Sequence, residues 1–315
     1  MCVRLQPSLP RPTHNSLRGK TATSAAYHSP VGLVMIGAAH NRNLTMFKLV
    51  PIACALAFAS TSALAGGHCA AGKTLTDGKF TVATGNPAYY PWVLDDAPES
   101  GQGFEAAVAY AVAEEMGFDA ADVVWVRSSF DEAIQPGAKN FDVNMQQYSI
   151  TAERDQVVDF SAPYYTAPMA VLVGPGAVDT DATMAALKDL KWGAVGTTTA
   201  VPKLYSVIQP GSDPLLYGDT ADVSAAISAD QIDAALFDLP TALFLSAVMI
   251  EGSKVIGQFT SDNSENPDQF GMLMEEGNPL KACVDDALAA LGENGALAAI
   301  EAQWLQDTTG VPLIK

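Results

Sequence analysis

The chain has 315 residues, of which 49% are hydrophobic and 17% charged, values typical of a globular protein long enough for two domains. All 35 acidic residues follow position 65, but only 11 of the 17 basic residues do, so residues 66–315 carry a formal charge of −24. A surface this acidic repels phosphate backbones and anionic headgroups, which argues against nucleic-acid binding and against membrane attachment through a basic patch.

The first 65 residues have the features of a targeting segment. Residues 46–65, MFKLVPIACALAFASTSALA, combine one basic residue, an apolar stretch and the small-residue pattern Ala63-Leu64-Ala65. We interpret them as a secretory signal cleaved after Ala65. The alternative is a membrane anchor, but the apolar part at 49–59 is shorter than the ~20 residues that a spanning helix needs. We expect residues 1–45 to be a leader assigned from a start upstream of the true one.

Cleavage there would leave Gly66-Gly67-His68 at the new N-terminus. A free amine, two backbone amides and the His68 imidazole form a square-planar copper(II) or nickel(II) site. A chance occurrence of the triplet is the alternative, and we favour it.

Cys69 and Cys283 are the cysteines that follow the signal. Export would place both in an oxidising compartment, so we predict one disulfide that ties the N-terminal end to a C-terminal helix. Two unrelated buried thiols are the alternative.

From position 80 onward, short β-like runs alternate with helical patterns. The first part predicts strands at 80–84, 123–126, 142–145, 157–160 and 169–174 and a helix at 103–117. The second part predicts strands at 189–195, 215–218, 233–238 and 254–260 and a helix at 220–228. A strand at 269–275 and helices at about 279–291 and 295–306 follow. Two α/β units, the second inserted in the first, predict two lobes joined by two crossing strands, with a ligand between them.

Residues 66–315 contain few of the residue types and motifs that enzyme active sites and metal sites use. His68 is their only histidine, so neither a Ser-His-Asp triad nor a zinc site can be assembled in a pocket. Neither GxxxxGKS/T nor GxGxxG occurs, and we expect no cofactor. Arg127 and Arg154 are the only arginines there, and arginine suits a carboxylate because its planar guanidinium donates two parallel hydrogen bonds.

Six strings occur in the order GFEAAVAYAVAEEMG, SFDEAI, YSITAER, VVDFSAPYY, DAALFD and FGMLMEEGNPLKACVDDALAAL. Together they resemble the family 3 solute-binding proteins, the periplasmic amino-acid receptors of ABC importers, over about 80–305. The resemblance implies an α/β fold of the two-lobed periplasmic-binding-protein type II, with lobes joined by two hinge strands. Residues 66–173 and 262–315 would form lobe one, and residues 174–261 lobe two.

The resemblance implies a periplasmic receptor, and not an enzyme, that binds a free amino acid by hinge closure and docks on the permease of an ABC importer. We expect a monomer with no nucleic-acid partner. A dehydratase of the cyclohexadienyl or arogenate type, on the same fold, is the alternative, although Glu105 and Asp238 are the only clear candidates for its proton-transfer group. The sequence leaves open which amino acid is bound.

Arg154 occupies the arginine of the family's T-x-E-R motif, which grips the α-carboxylate of the ligand. A surface arginine paired with Glu153 or Asp155 is the alternative. Ser149 matches a hydroxyl that also donates to the carboxylate, while Gln147 stands where relatives often have Gly or Ser.

Asp238 matches the second-lobe aspartate that pairs with the ligand's α-ammonium, although it could also cap the helix that follows. Residues 197–199 match the family's threonine loop, where Thr198 or Thr199 would reach the carboxylate.

In the loop GNPAYYPW, the resemblance places Asn86 on the ammonium or side chain and an aromatic residue, Tyr89 or Trp92, over the ligand. Phe130 would sandwich the ligand from the other side, unless it is a core residue. Glu105 is expected to hold the loops of lobe one by hydrogen bonds.

Overall fold

The structure is a computed structural model that describes residues 69–259, 268–305 and 310–315. The predicted leader, the signal peptide and His68 lie outside the described residues. Those described belong to one compact unit. Among them, no helix combines the length and the apolar character needed to cross a bilayer.

The predicted strands and helices are present to within three residues at each end, with one exception at 269–275. The strands are β1 Phe80–Thr84, β2 Val123–Arg127, β3 Val143–Asn144, β4 Asp159–Phe160, β5 Tyr165–Ala167, β6 Met169–Val173, β7 Trp192–Val195, β8 Leu215–Tyr217, β9 Ala234–Asp238, β10 Lys254–Gln258, β11 Asp268–Phe270 and β12 Leu273–Met274. The α-helices are α1 Phe104–Glu115, α2 Phe130–Ala133, α3 Met184–Leu187, α4 Ala200–Lys203, α5 Thr220–Ser228, α6 Leu239–Phe244, α7 Lys281–Glu293 and α8 Ala296–Trp304. Strand β5 and the short helices α2, α3 and α4 were not predicted, whereas α6 begins where the alternative role of Asp238 as a helix cap implied.

The first lobe is built on a five-stranded sheet of order β2-β1-β3-β12-β4. Strand β1 runs parallel to β2 and β3, and every residue of its FTVAT sequence is buried, as expected for a central strand covered on both faces. Phe80 and Val82 pack in one core cluster with residues of α1 and α7, whereas Ala83 belongs to another with Tyr148. The buried strand fixes the loop at its carboxyl end, which the candidate site uses.

The second lobe is built on a five-stranded sheet of order β10-β6-β9-β7-β8. Strand β6 pairs antiparallel with both β9 and β10, so the prediction that residues 169–173 belong to lobe one is wrong. The described C-terminal residues 310–315 also lie against this lobe: Leu313 bridges to Gln258, and Ile314 packs near its core. Their assignment to lobe one is likewise corrected. Strand partners far away in sequence decide both positions, and periodicity carries no information about such partners.

Two strands connect the lobes. Strands β5 and β11 pair antiparallel, with Tyr165 opposite Phe270, and confirm the expected pair of crossing segments. The single strand predicted at 269–275 is wrong, because it splits into β11 in the hinge and β12 in the first sheet. The chain turns at Gly271, where a Cβ would lie 2.9 Å from the Ile150 side chain and 3.2 Å from the Ser161 carbonyl oxygen. Glycine is the residue that leaves room for this close approach.

The predicted disulfide is confirmed. Cys69 and Cys283 are bonded with their Cα atoms 5.6 Å apart, and they close a separation of 214 residues. Cys283 is buried on α7, so the bond fixes the N-terminal end of the described chain to the core of lobe one.

Candidate functional site

A cavity of about 430 Å³ lies between the two lobes. Its walls come from segments that follow β1, β7, β8 and β9, so the carboxyl ends of strands from both sheets meet there. Nine of the ten predicted ligand residues line it: Asn86, Tyr89, Phe130, Gln147, Ser149, Arg154, Thr198, Thr199 and Asp238. Trp92 is the exception.

Arg154 is buried at the cavity wall with 9% of its surface exposed. Its guanidinium donates to the Ser149 carbonyl oxygen at 2.8 Å and, across the cleft, to the Thr197 carbonyl oxygen at 2.8 Å. Burial lowers its pKa from the ordinary value, and nearby Tyr148 and Asp268 oppose the change. Arginine stays charged under such conditions. No ion pair among the described residues involves Arg154, so the alternative role as a surface partner of Glu153 or Asp155 has no support.

Phe130 forms an aromatic platform beneath this cation. Its ring stacks on Tyr148 with centroids 4.4 Å apart, and the Arg154 guanidinium carbon lies 5.4 Å from its centroid on the cavity side. The Ser129 side chain caps α2 and thereby sets the position of Phe130. The ring contributes to the core and to the cavity wall at once.

The hydroxyl groups of the threonine loop, residues 197–199, have different roles. Thr198 donates back to the Val195 carbonyl oxygen at 2.9 Å, and Thr197 donates across the cleft to Asp131 at 2.5 Å. Thr199 lies with its hydroxyl 3.4 Å from that of Ser149 on the opposite lobe. Thr199 therefore has the side chain best placed to join Ser149 at a common ligand atom.

Asp238 ends β9 and begins α6. It caps that helix by accepting from the Thr241 backbone nitrogen at 2.8 Å, and it is also one of the residues that line the cavity. The cap and the cavity position coexist, as the sequence allowed. Burial raises the pKa of Asp238 to about 6, and hydrogen bonds from Thr241 counteract part of that rise.

A buried carboxylate supports the cavity from behind. Glu105 is 1% exposed and accepts hydrogen bonds from the Gln147 backbone nitrogen at 2.8 Å, from the Gln147 side chain at 2.5 Å and from the Tyr164 hydroxyl. Burial raises its pKa to about 7 despite these donors. Gln147 has φ 54°, a conformation that favours glycine. The two hydrogen bonds that Gln147 donates to Glu105 hold this non-glycine residue in that conformation.

Trp92 is not among the residues that line the cavity, so the structure gives no support to its predicted contact with the ligand. The indole is 2% exposed and makes edge contacts with Phe104, Tyr165 and Phe270. Gly103, with φ 104°, lets α1 begin directly against this segment, because a Cβ there would lie 2.4 Å from the Trp92 carbonyl oxygen. The tight packing draws the indole into the core of lobe one, and Tyr89 is left as the aromatic residue of this loop that lines the cavity.

Sequence reasoning missed several polar residues of the cavity. Asp131, Asp219, Asp268 and Thr241 line it as well. Asp219 could have been found, because it is a cap residue between a predicted strand and a predicted helix at the ligand-binding edge of a sheet. Asp268 lies on the hinge strand, which no local pattern distinguishes. Among the described residues, no group of three or more His, Cys, Asp or Glu side chains is arranged to hold a metal ion.

Comparisons with known proteins agree with this geometry. The family model for bacterial extracellular solute-binding proteins, family 3, matches residues 81–307. The L-cystine-binding protein TcyJ of Escherichia coli strain K12 is 30% identical over 207 residues, which span 64% of this chain and 73% of that protein.

Two solved structures share the fold. An ancestral arginine-binding protein bound to glutamine has a TM-score of 0.60 and 25% identity, covering 74% of this chain and all of that one. The ancestral amino acid-binding protein AncCDT-1, a precursor of cyclohexadienyl dehydratase, has a TM-score of 0.57 and 25% identity, covering 72% of this chain and 95% of that one.

Proposed function

Because this chain belongs to the bacterial extracellular solute-binding proteins of family 3, we propose that it captures a free amino acid between its lobes and delivers it to the permease of an ABC importer. One observation carries the proposal: Arg154 of lobe one and Asp238 of lobe two line the same cavity. A guanidinium and a carboxylate together match the two charges that every amino acid carries. A cavity of about 430 Å³ lies within the usual range for small-molecule sites.

In the proposed complex, the guanidinium of Arg154 binds the α-carboxylate. Two of its donors are already directed at carbonyl oxygens, so the remaining N–H groups, with the Ser149 and Thr199 hydroxyls, are available to the ligand. Asp238 accepts from the α-ammonium. The ligand side chain then extends toward Asn86, Tyr89 and Gln147.

The charges around the cavity favour ligands whose side chain is not anionic. Four aspartates and one arginine line it, so a zwitterion that pairs with Arg154 and Asp238 leaves Asp131, Asp219 and Asp268 without a cationic partner. A further carboxylate in this space is repelled at low local dielectric, whereas an amide or a cation is not. We propose neutral polar or cationic amino acids as the ligand class.

Closure about β5 and β11 brings the two halves of the site together. In the structure, the Arg154 bond to Thr197 and the Thr197 bond to Asp131 already cross the cleft. Because a ligand held by Arg154 and Asp238 contacts both lobes, its binding favours the closed form.

We place this activity in the periplasm, after removal of the signal peptide at Ala65. Mass spectrometry of the exported protein checks this: the expected N-terminal residue is Gly66. Retention of residues 46–65 would contradict it.

The alternative function, a dehydratase, would use the same carboxylate-binding arginine but would also convert its substrate. Glu105, with its raised pKa, is a chemically suitable acid, but it is covered by Gln147 and does not line the cavity. Incubating the purified protein with prephenate and with arogenate discriminates the two, since release of carbon dioxide would establish the enzyme and reject a purely binding role.

The direct test is a thermal-shift screen against the twenty proteinogenic L-amino acids and L-cystine, followed by calorimetry. We expect the screen to find a binder and Arg154→Met to reduce its affinity at least 100-fold. Lys79→Met is the matched control, because Lys79 forms a partly exposed ion pair with Asp122 away from the cavity. Equal affinity in Arg154→Met and in the wild type would reject the proposed site.

A further inference from the structure

The buried Trp92 of lobe one reaches across the cleft to lobe two. Its indole nitrogen donates to the hydroxyl oxygen of Thr241 at 2.8 Å. The indole itself cannot shift easily, because Phe104, Tyr165 and Phe270 contact it with ring centroids 5.7 to 5.8 Å away. The hydrogen bond therefore joins a rigid group of one lobe to the first turn of α6 in the other.

Thr241 also holds the carboxylate of Asp238, because its backbone nitrogen donates to Asp238 Oδ1 at 2.8 Å. The indole N–H and the carboxylate therefore bind to the same residue, one at its hydroxyl and the other at its backbone. By fixing Thr241, the indole fixes the first turn of α6 and the backbone N–H that donates to Asp238.

We propose that Trp92 is a positioning residue that couples lobe closure to ammonium binding, through a relay in which the Trp92 indole donates to the Thr241 hydroxyl and the Thr241 backbone N–H donates to Asp238. This inference rests on the proposed function, since it assigns a role in the same site. It replaces the predicted ring contact of Trp92 with the ligand by an indirect role.

The relay is complete only when the lobes are together, because its first member belongs to one lobe and the other two to the second. The indole holds the first turn of α6 in place, so the backbone N–H of Thr241 stays directed at Asp238, and a hydrogen bond to the ionised carboxylate stabilises that form. Closure therefore favours the ionised form of Asp238. By linkage, an ammonium group that needs this ionised form favours closure.

Several other titratable groups act on Asp238 and must be considered in any pH profile. They are Asp268 on β11, Glu105 on α1, Tyr165 on β5 and Tyr164 just before β5. None of them belongs to the relay, so variants of Trp92 and Thr241 leave them in place.

The test uses the full mature protein and the strongest binder from the panel of twenty proteinogenic L-amino acids and L-cystine. Trp92→Phe keeps an aromatic ring and removes the donor, and we expect about a three- to tenfold loss of affinity at pH 7, the usual effect of one hydrogen bond. We also expect the fall of its affinity at acid pH to begin at higher pH, because the backbone N–H of Thr241 is held less firmly against Asp238. Thr241→Val should reproduce both effects, and Thr241→Ser, which keeps the hydroxyl, should restore the wild-type values.

Trp192→Phe is the matched control. Trp192 is also buried, and its indole donates to the Leu187 carbonyl oxygen inside lobe two. We expect this variant to lose stability without a change in the pH profile of binding. The Trp92→Phe/Thr241→Val double variant should lose no more affinity than either single variant, since both break one relay.

Two outcomes would overturn the relay: an unchanged fall of affinity at acid pH in Trp92→Phe, or additive losses in the double variant. If the wild-type protein binds no member of the panel, the proposed function fails instead, and the two failures are thus distinguishable.

Discussion

Replacement of Glu105 by glutamine should flatten the pH dependence of folding stability. The side chain is 1% exposed, and burial raises its pKa from an ordinary 4.5 to about 7. Because the folded-state pKa lies above the unfolded one, the folded protein binds the proton more tightly. The stabilisation from protonation is fully present below about pH 4.5 and is lost as the pH rises through 7.

The size of this effect follows from the two pKa values. Each pH unit between them corresponds to about 1.4 kcal/mol, so ionisation of Glu105 should lower the free energy of unfolding by about 3 kcal/mol across this window. Glutamine has no titratable proton, so this part of the change of unfolding free energy with pH disappears in Glu105→Gln. Asp238 contributes a slope of the same sign in both proteins, and the comparison removes the part of it that does not depend on Glu105.

The assay is urea denaturation of the ligand-free protein at half-unit steps from pH 4.5 to 8.5, with the wild type, Glu105→Gln and Glu99→Gln in parallel. Glu99 is exposed, so its variant should keep the wild-type slope. Coincident slopes for the wild type and Glu105→Gln would refute the assignment of a buried, readily protonated carboxyl to position 105.

Three further predictions concern the site and the fold. Calorimetry between pH 5 and 8 should show that amino-acid affinity falls below about pH 6, because protonated Asp238 no longer accepts an ammonium proton. Asp238→Asn should bind weakly and should show no such fall in affinity. A fall at acid pH that persists in this variant would contradict the prediction. The Cys69→Ser/Cys283→Ser protein should lose about 2 to 4 kcal/mol of stability in urea while its ligand affinity stays within twofold, since the bond lies away from the cavity. Gly103→Ala should lower the melting temperature, because the added methyl group would lie 2.4 Å from the Trp92 carbonyl oxygen and because alanine is strained at φ 104°. An unchanged melting temperature would show that the loop relaxes freely.

Local sequence patterns determined most of the secondary structure. Apolar runs such as residues 80–84 and 234–238 and the alanine-rich helix at 104–115 formed where predicted, because strand and helix periodicity is set within a few residues. Counting alone paired Cys69 with Cys283. The family resemblance, carried by motifs such as T-x-E-R, anticipated that Arg154 and Asp238 line one cavity.

Only the tertiary structure decided which strand pairs with which. Residues 270–274, FGMLM, contain no polar side chain, yet this short stretch divides between the hinge and the first sheet. Residues 169–173 belong to the second lobe because β9 and β10 are their partners. The pairing of a strand depends on residues that are far away in sequence, and a short stretch of sequence does not contain them.

The same reason explains the site residues that the sequence misassigned or missed. Trp92 lies in an aromatic loop typical of ligand contact, but three rings from distant segments draw it into the core. Asp131 is an ordinary surface acid in sequence, and it lines the cavity because two separate sheets meet there. The sequence gives the chemistry of each side chain, whereas packing between segments that are far apart in sequence decides its contacts and its burial.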